Sequence, residues 1–304
     1  QTVRAAVLLL ALSLSAGCAA APAKTQTIAS RPETDQSMML PKNSYELKSA
    51  SEVAGRQGIT TDGKYYYVSG STALIKYDKD FKEVARNDKP FEKDYTQEVN
   101  HSGDIDVADG ILYCGVEYFM DGVGKNIQIS KYDPETLEFP GSMPFNEESG
   151  QLECSGIAVN PQDSSVAMVS WLGEKNGRYI YEYDLKTGQM KRKIHLQPAP
   201  QWVQGIVWHD GNCCLTADDG TADGKEPDHL CRASILPEGN QAAVPLERTF
   251  DDVKMQGEIE GLAFDPKQVS FCSCTTGARE SSLEWSRGSM RDMAGKSRKL
   301  ACMM

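Results

Sequence analysis

A short phrase recurs five times along this chain and constrains the fold more than any other feature. Each copy is a polar residue, then Gly, then Ile, Leu or Asp, followed by an alternating apolar stretch that ends at Asp-Gly, Asn-Pro or Asp-Pro. The copies are spaced by 45, 53, 49 and 56 residues, counted between Gly58, Gly103, Gly156, Gly205 and Gly261. Periods of this size, filled with short strands and turns, predict the blades of a β-propeller.

The third copy shows the pattern of one blade. Gly156–Val159 alternates into an Asn-Pro turn, and three further alternating stretches follow at residues 166–171, 178–184 and 189–196. Four short antiparallel strands bounded by turn residues make one blade. The chain is therefore predicted to be all-β, with four-stranded antiparallel blades over residues 46–267. Five blades are expected, or six if an irregular blade lies within residues 212–257.

The first 45 residues do not follow this pattern. Arg4 precedes the apolar run Ala5–Leu14, and small residues then lead to Cys18, which is typical of a secretory signal with a bacterial lipobox. Residues 1–18 are predicted to be a lipoprotein signal peptide, with an ordinary secretory signal as the alternative. Residues 19–45 have the composition of a flexible tether. The protein is thus expected to be exported and held on the periplasmic or cell-surface side of a bacterial membrane by lipid on Cys18 alone.

The charge of the chain narrows the class of partner. The net charge is −11, the isoelectric point is about 5.0, and the repeat region has no basic cluster. Nucleic acid is not an expected partner, because phosphate binding needs a positive face. The sequence gives no signal for an oligomeric state.

The cysteines leave two interpretations open. Nine are present, and five lie in the repeat region: Cys114, Cys154, Cys213, Cys214 and Cys231. An exported protein can form disulfides, but these spacings do not choose partners. Buried free thiols are the other interpretation.

The last 37 residues depart from the rest of the chain. Residues 268–304 lose the alternation and carry more basic than acidic residues, although Glu260–Pro266 should lead into another strand. Codons can be chosen for which an adjacent reading frame restores alternating strands. We therefore predict a frame slip that disrupts the last blade and leaves sheet edges open, so that the chain is poorly stable or aggregates. A disordered basic tail is the alternative.

The repeat also predicts a site. The first strand of each blade lines the central channel, so residues beside the repeat glycines should converge at one mouth, the default place for a ligand. These residues are Arg56, Gln57, His101, Asp104, Glu153, Gln204, Glu258 and Glu260, with Glu117 and Trp202 as further ligand-binding candidates. His101 or His229, paired with an acid such as Asp104, is the candidate general base.

An acidic loop raises the question of a metal ion. Asp218 and Asp219 lie in a Gly-containing run of carboxylates that continues to His229, and such oxygen donors suit Ca²⁺. We count Glu258 at the mouth with the metal candidates. Solvated acidic loops are the alternative interpretation.

Three phrases of the sequence carry a family resemblance. The Gly-Ile repeats, the run Glu260–Pro266 and the turn Tyr183–Gly188 resemble the broad superfamily of gluconolactonase-like and NHL/YVTN-type propellers, over residues 50–267. Lactonase-like members hold a divalent cation, usually calcium, on the channel axis, and the resemblance implies Glu153 and Glu260 as its ligands. The resemblance is one of architecture, and architecture does not carry function.

Together these expectations describe an exported, membrane-anchored propeller. Its channel is expected to bind a small molecule, a divalent cation or both, with hydrolysis of an ester or lactone as the candidate reaction. The competing interpretation is a non-catalytic module that binds a protein or glycan of the cell envelope.

Overall fold

The computed structural model describes residues 45–93, 95–144, 147–172, 176–218, 228–250, 258–267, 270–275 and 281–287. These residues are all β-structure, turns and loops apart from one 3₁₀ turn, Glu147–Ser149. None of their helices is long and apolar enough to cross a membrane. Cys18, the predicted signal and nearly all of the predicted tether lie outside the described residues.

The described strands form three four-stranded sheets and one nine-stranded sheet, and together these make five successive blades. The N-terminal strand is β1 (Tyr45–Glu52), and the first blade is β2 (Gly58–Thr61), β3 (Tyr66–Gly70), β4 (Ala73–Tyr77) and β5 (Glu83–Asn87). The second blade is β6 (His101–Ala108), β7 (Ile111–Met120), β8 (Val123–Tyr132) and β9 (Gly141–Pro144). The third is β10 (Gly156–Asn160), β11 (Ser165–Val169), β12 (Tyr179–Asp184) and β13 (Met190–Gln197).

The fourth and fifth blades are less regular. The fourth is β14 (Val203–His209), β15 (Asn212–Ala217) and β16 (His229–Ile235), followed by β17 (Gln241–Ala243) and β18 (Leu246–Thr249). β17 pairs with β13 and with β16, and so joins two blades, whereas β18 is the outer strand on β16. The fifth is β19 (Ile259–Asp265), β20 (Ser270–Thr275) and β21 (Ser281–Arg287), with β1 on its outer edge. The described strands within residues 212–257, β15 to β18, thus belong to the fourth blade rather than to a sixth blade.

The N-terminal strand closes the ring. β1 pairs antiparallel with β21 along its length, so the two ends of the propeller meet in one sheet. β20 and β21 lie in the segment 268–304 that the sequence assigned to a frame-slipped tail, and the strands of the propeller run from Tyr45 to Arg287. The frame slip concerns the gene and stays a prediction.

Five apolar cores hold adjacent blades together. Ile180 and Leu215 join the third and fourth blades, Ile129 and Tyr181 the second and third, and similar clusters fill the other three junctions. Cys114, Cys154, Cys213 and Cys231 are buried free thiols in these junctions, so the free-thiol interpretation is confirmed for these four and the disulfide interpretation is wrong for them. Burial in an apolar junction also raises the pKa of the Cys154 thiol well above its usual value.

The repeat glycines let the five inner strands meet backbone to backbone at the axis. A Cβ on Gly58 would lie 2.6 Å from Cα of Asp104, and one on Gly261 would lie 2.5 Å from Cα of Gly58. A Cβ on Gly205 would lie 2.8 Å from Cα of Gly261. Gly is therefore needed here for close backbone approach, as the sequence predicts.

Candidate functional site

One end of the channel collects the polar residues that the repeat predicts. In an antiparallel blade, the start of the first strand lies beside the end of the second strand. Gln57 precedes β2, His101 begins β6 opposite Glu117 of β7, and Glu153 lies shortly before β10. Gln204, Glu258 and Glu260 occupy the same position in the last two blades. We call this end, with Arg56, Trp171, Trp202 and Asp218, the channel mouth.

Asp104 lies on the axis and is completely buried. The second repeat has one extra residue, and the register of β6 against β7 shifts between Ser102 and Ile105. Such a bulge redirects a side chain. The Asp104 Oδ1 atom accepts the N–H of Ile105 at 2.9 Å, and the N–H groups of Ile157 and Ile206 also bond to the carboxyl.

The same carboxyl contacts the two remaining inner strands. A Cβ atom placed on Gly58 would lie 2.5 Å from Asp104 Oδ1, and one placed on Gly261 would lie 2.4 Å from it. One side chain therefore touches all five blades. Complete burial raises the pKa of Asp104 well above its usual value, which favours the neutral acid, and the Oδ2 atom has no hydrogen-bond partner. Asp104 is positioned as an axial tie between blades, whereas the sequence suggested a partner for a catalytic histidine.

Two glutamates form a coupled acid pair at the mouth. Glu117 Oε2 accepts the N–H of Cys154 at 3.2 Å, which places the Glu117 carboxyl beside the backbone that carries Glu153. Glu153 Oε2 accepts the Ser170 hydroxyl at 3.1 Å and the N–H of Trp171 at 2.6 Å. Burial raises the pKa of both carboxyls, and the charge of Glu117 raises the pKa of Glu153 further. Like charges this close ionise in two steps, so the pair retains a proton after the first ionisation.

His101 lies against this pair. Its Nδ1 atom is 3.4 Å from Glu117 Oε1, and neither atom has a hydrogen-bond partner. Its Nε2 atom is 2.9 Å from Gln57 Oε1, and Gln57 Nε2 donates to Glu260 Oε1 at 3.4 Å. Burial lowers the pKa of His101, so the neutral imidazole is favoured near pH 7.

The opposite side of the mouth is also acidic. Gln204 Nε2 donates to Glu258 Oε2 at 3.4 Å. Burial raises the pKa of Glu258 and raises that of the fully buried Glu260 well above its usual value. The positive charge of the exposed Arg56 opposes both shifts and also lowers the pKa of His101. These contacts bring six predicted residues into one network: Arg56, Gln57, His101, Gln204, Glu258 and Glu260.

Two tryptophans border the acids. The rings of Trp171 and Trp202 lie 4.9 Å apart with a tilt of 41°, and both side chains are half-buried. Trp171 is tied to Glu153 through its N–H, and the Trp202 carbonyl accepts the N–H of Asp218 at 3.1 Å. The sequence prediction named Trp202 as a ligand candidate but did not name Trp171. The signal for Trp171 was its place just after β11, at the same end of the blade as Glu153.

His229 lies apart from this network. It begins β16, the third strand of its blade, and lines a cavity of about 200 Å³ with Asp218 and Cys231. His229 is on the third strand of its blade, whereas Glu117, the neighbour of His101, is on the second strand, which is one strand nearer to the axis. Asp219 lies outside the described residues. The two histidines predicted as alternative bases therefore occupy different places.

The described residues do not form a ready metal site. They contain no group of three or more His, Cys, Asp or Glu side chains placed to hold a metal ion. At least one carboxyl oxygen of Glu117, Glu153, Glu258 and Glu260 already accepts a protein N–H or O–H. Calcium binding stays a prediction, since Asp219 of the proposed set is not described.

Comparisons with known proteins show the architecture. No family model matches the chain, and no curated protein sequence matches it. The chain is similar to the glutaminyl cyclase of Myxococcus xanthus, with 8% identity, a TM-score of 0.52, and coverage of 81% of this chain and 97% of the cyclase. It is also similar to a gluconolactonase of Xanthomonas campestris, with 13% identity, a TM-score of 0.45, and coverage of 73% of this chain and 68% of the lactonase.

Identities this low carry the fold and no activity. The cyclase is a β-propeller, and the match covers 97% of its length. The predicted resemblance is therefore confirmed as one of architecture, and the all-β, five-bladed prediction is confirmed by the sheets. The chain folds as a β-propeller.

Proposed function

We propose that the channel mouth is an acid–base active site that hydrolyses a small ester or lactone. The observation that carries this proposal is the coupled pair Glu117 and Glu153 next to a neutral histidine. A buried pair that shares one proton offers a base and an acid at the same pH, which is the usual requirement of hydrolysis.

The geometry favours one division of roles. Glu117 Oε1 has no hydrogen-bond donor and lies 3.4 Å from His101 Nδ1, so it is the oxygen best placed to take a proton from water. The resulting hydroxide attacks the substrate carbonyl. Glu153, held by Ser170 and Trp171, retains the shared proton and gives it to the departing alkoxide. Arg56 supplies positive charge near the site for the developing oxyanion.

A leaving-group test separates the two roles. Glu117→Gln is expected to lower kcat about 100-fold for both alkyl and nitrophenyl esters, because the base is lost in each case. Glu153→Gln is expected to lower kcat by a similar factor for alkyl esters alone, because nitrophenolate departs without a proton. The measurement is steady-state hydrolysis of matched esters and lactones. Glu92→Gln, at an exposed ion pair with Lys89, is the control and should match the unmodified protein.

Two results would contradict this assignment. One is equal loss on both ester types for Glu153→Gln. The other is full activity of Glu117→Gln in a folded protein, judged by an unchanged thermal transition. The assays are run with and without a chelator, so that activity requiring calcium is seen as a separate result.

The alternative proposal is a binding module for a protein or glycan of the cell envelope. It is favoured by three large apolar side chains that are about half exposed near the second blade: Met120 at 51%, Val123 at 50% and Leu152 at 50%. Exposed apolar groups in one region are typical of contact surfaces. A module of this kind would keep its binding in the Glu117→Gln variant and would hydrolyse none of the esters.

We also propose export with a lipid anchor on Cys18. The support is the sequence Arg4–Cys18, which lies outside the described residues. Cys18→Ser is expected to abolish incorporation of labelled fatty acid and to release the protein from the membrane fraction, because the anchor is the acyl chains. A protein that stays on the membrane without label would contradict this.

A further inference from the structure

We infer that the channel mouth recognises an organic cation, an amine or quaternary ammonium group, between the tryptophan pair and the glutamates. This inference names the substrate class of the site proposed above and rests on that proposal for its place in catalysis. Binding itself is a separate property and is tested separately below.

An aromatic pair lies at the channel mouth. The rings of Trp171 and Trp202 are in contact and tilted by 41°, and both side chains are half-buried. Indole faces attract cations through the ring quadrupole, most strongly where water is excluded. Two tilted faces at the channel mouth can form part of a cage for a group of positive charge.

The backbone of Trp202 has a conformation that is rare for a large side chain. This residue has φ of +53°, in the left-handed region that a bulky side chain rarely adopts. Its carbonyl accepts the N–H of Asp218, and its ring contacts Trp171. Unusual backbone of this kind is characteristic of functional sites, where the surrounding structure imposes it. Trp202 is therefore held in place at the mouth rather than packed by default.

Acidic side chains lie beside the two tryptophan rings. Glu153 accepts the N–H of Trp171, which fixes a carboxyl group next to that indole. Glu258 and Asp218 act on one another electrostatically close to Trp202, and Glu260 lies deeper on the axis. Arg56 is the basic side chain that acts on this group. Burial raises the pKa of Glu258 and Glu260, and a cation bound beside them would favour their ionised form.

An independent observation places an open acceptor in the same network. Glu117 is completely buried, and its Oε1 atom has no hydrogen-bond donor although the other oxygen is bonded to Cys154. A buried polar atom without a partner is costly and calls for an explanation. The water that Glu117 activates beside a bound substrate would satisfy it, which puts the ligand against this carboxyl.

The chemistry favours an organic cation over a metal ion. The described carboxyls are not grouped as metal ligands, and several of their oxygens already accept protein donors. A metal ion needs several direct oxygen ligands and gains little from indole faces. A diffuse organic cation needs a negative field and aromatic walls, and the mouth supplies both.

The test compares choline with 3,3-dimethylbutan-1-ol, its neutral carbon isostere, by calorimetric titration of the whole protein in the presence of a chelator. Choline is expected to bind about tenfold more tightly or better, because only its charge differs. Its affinity is expected to increase as pH rises, since Glu117, Glu153, Glu258 and Glu260 have raised pKa values and His101, with a lowered pKa, is already neutral. Equal binding of the two compounds, or binding of neither, would overturn the inference.

Variants locate the site. Trp202→Leu and Glu258→Gln are each expected to weaken choline binding about tenfold, and Glu258 is exposed enough that its variant should fold. Trp208→Phe is the control, because Trp208 packs on the core between the third and fourth blades. The choline affinity of this variant should equal that of the unmodified protein. Unchanged affinity in both folded mouth variants would overturn the inference. Choline binding without ester hydrolysis would instead contradict only the proposed reaction.

Discussion

Replacing Gly261 by Ala is expected to prevent stable closure of the propeller. The added Cβ would lie 2.4 Å from Asp104 Oδ1, 2.5 Å from Cα of Gly58 and 2.8 Å from N of Ile59. Two of these atoms belong to backbone, which cannot rotate away as a side-chain end can. Overpacking in a core costs about 1–3 kcal/mol and sometimes more. Because this clash involves two strands at the axis, we expect a cost of about 3 kcal/mol or above.

Urea denaturation measures this cost, with Gly141→Ala as the matched control. Gly141 begins β9, an outer strand, has no positive φ, and would give an added Cβ no neighbour within 4 Å. Its substitution should change the free energy of unfolding by about 0.5 kcal/mol or less. Similar midpoints for the two variants would show that the inner strands do not pack as tightly as described here.

The repeat explains why the architecture could be predicted from the sequence. The Gly at the start of each inner strand is required by close backbone approach, and that requirement imprints the same phrase on all five blades. Tyr77, Tyr132 and Tyr183 repeat for a similar reason, since each is buried at a blade junction. Mouth residues such as Gln57 and Glu153 could be predicted because they occupy fixed positions relative to these glycines.

Features that break the repeat were harder to predict. Asp104 is visible as one extra residue in the second copy, but its direction depends on a bulge that appears only when β6 is paired with β7. The Trp171–Trp202 contact joins two blades, and no spacing within one repeat encodes it. β20 and β21 pair through backbone hydrogen bonds, which any side chains except Pro allow, so the loss of alternation after residue 267 concealed them.

The axial carboxyl of Asp104 joins backbone N–H groups of three blades. Asp104→Ala would remove the acceptor of the N–H groups of Ile105, Ile157 and Ile206, which belong to three different blades. Each buried N–H left without a partner costs about 1–3 kcal/mol. Asp104→Ala is therefore expected to lower the free energy of unfolding by several kcal/mol. Asp104→Asn retains a carbonyl oxygen of the same reach and is expected to be far less damaging.

The pH dependence of the Asn variant tests the state of that carboxyl. Burial raises the folded-state pKa of Asp104 well above the unfolded value of about 4, so the folded protein binds more protons than the unfolded chain. The contribution of Asp104 to stability must then fall as pH rises from the unfolded pKa toward the folded pKa. Asp106, Glu260 and Cys114 face the same region, but they are common to both proteins and their contributions largely cancel in the comparison.

The Asp104→Asn variant has no proton to lose at this position, so its stability relative to the unmodified protein should improve steadily as pH increases above about 4. Chemical denaturation at a series of pH values gives the difference directly. A constant difference would mean that Asp104 titrates alike in the folded and unfolded states, and a difference of the opposite sign would mean that the three N–H groups hold it ionised. In either case the axial carboxyl would be an anion in a polar cradle rather than the neutral tie between five blades that its burial indicates.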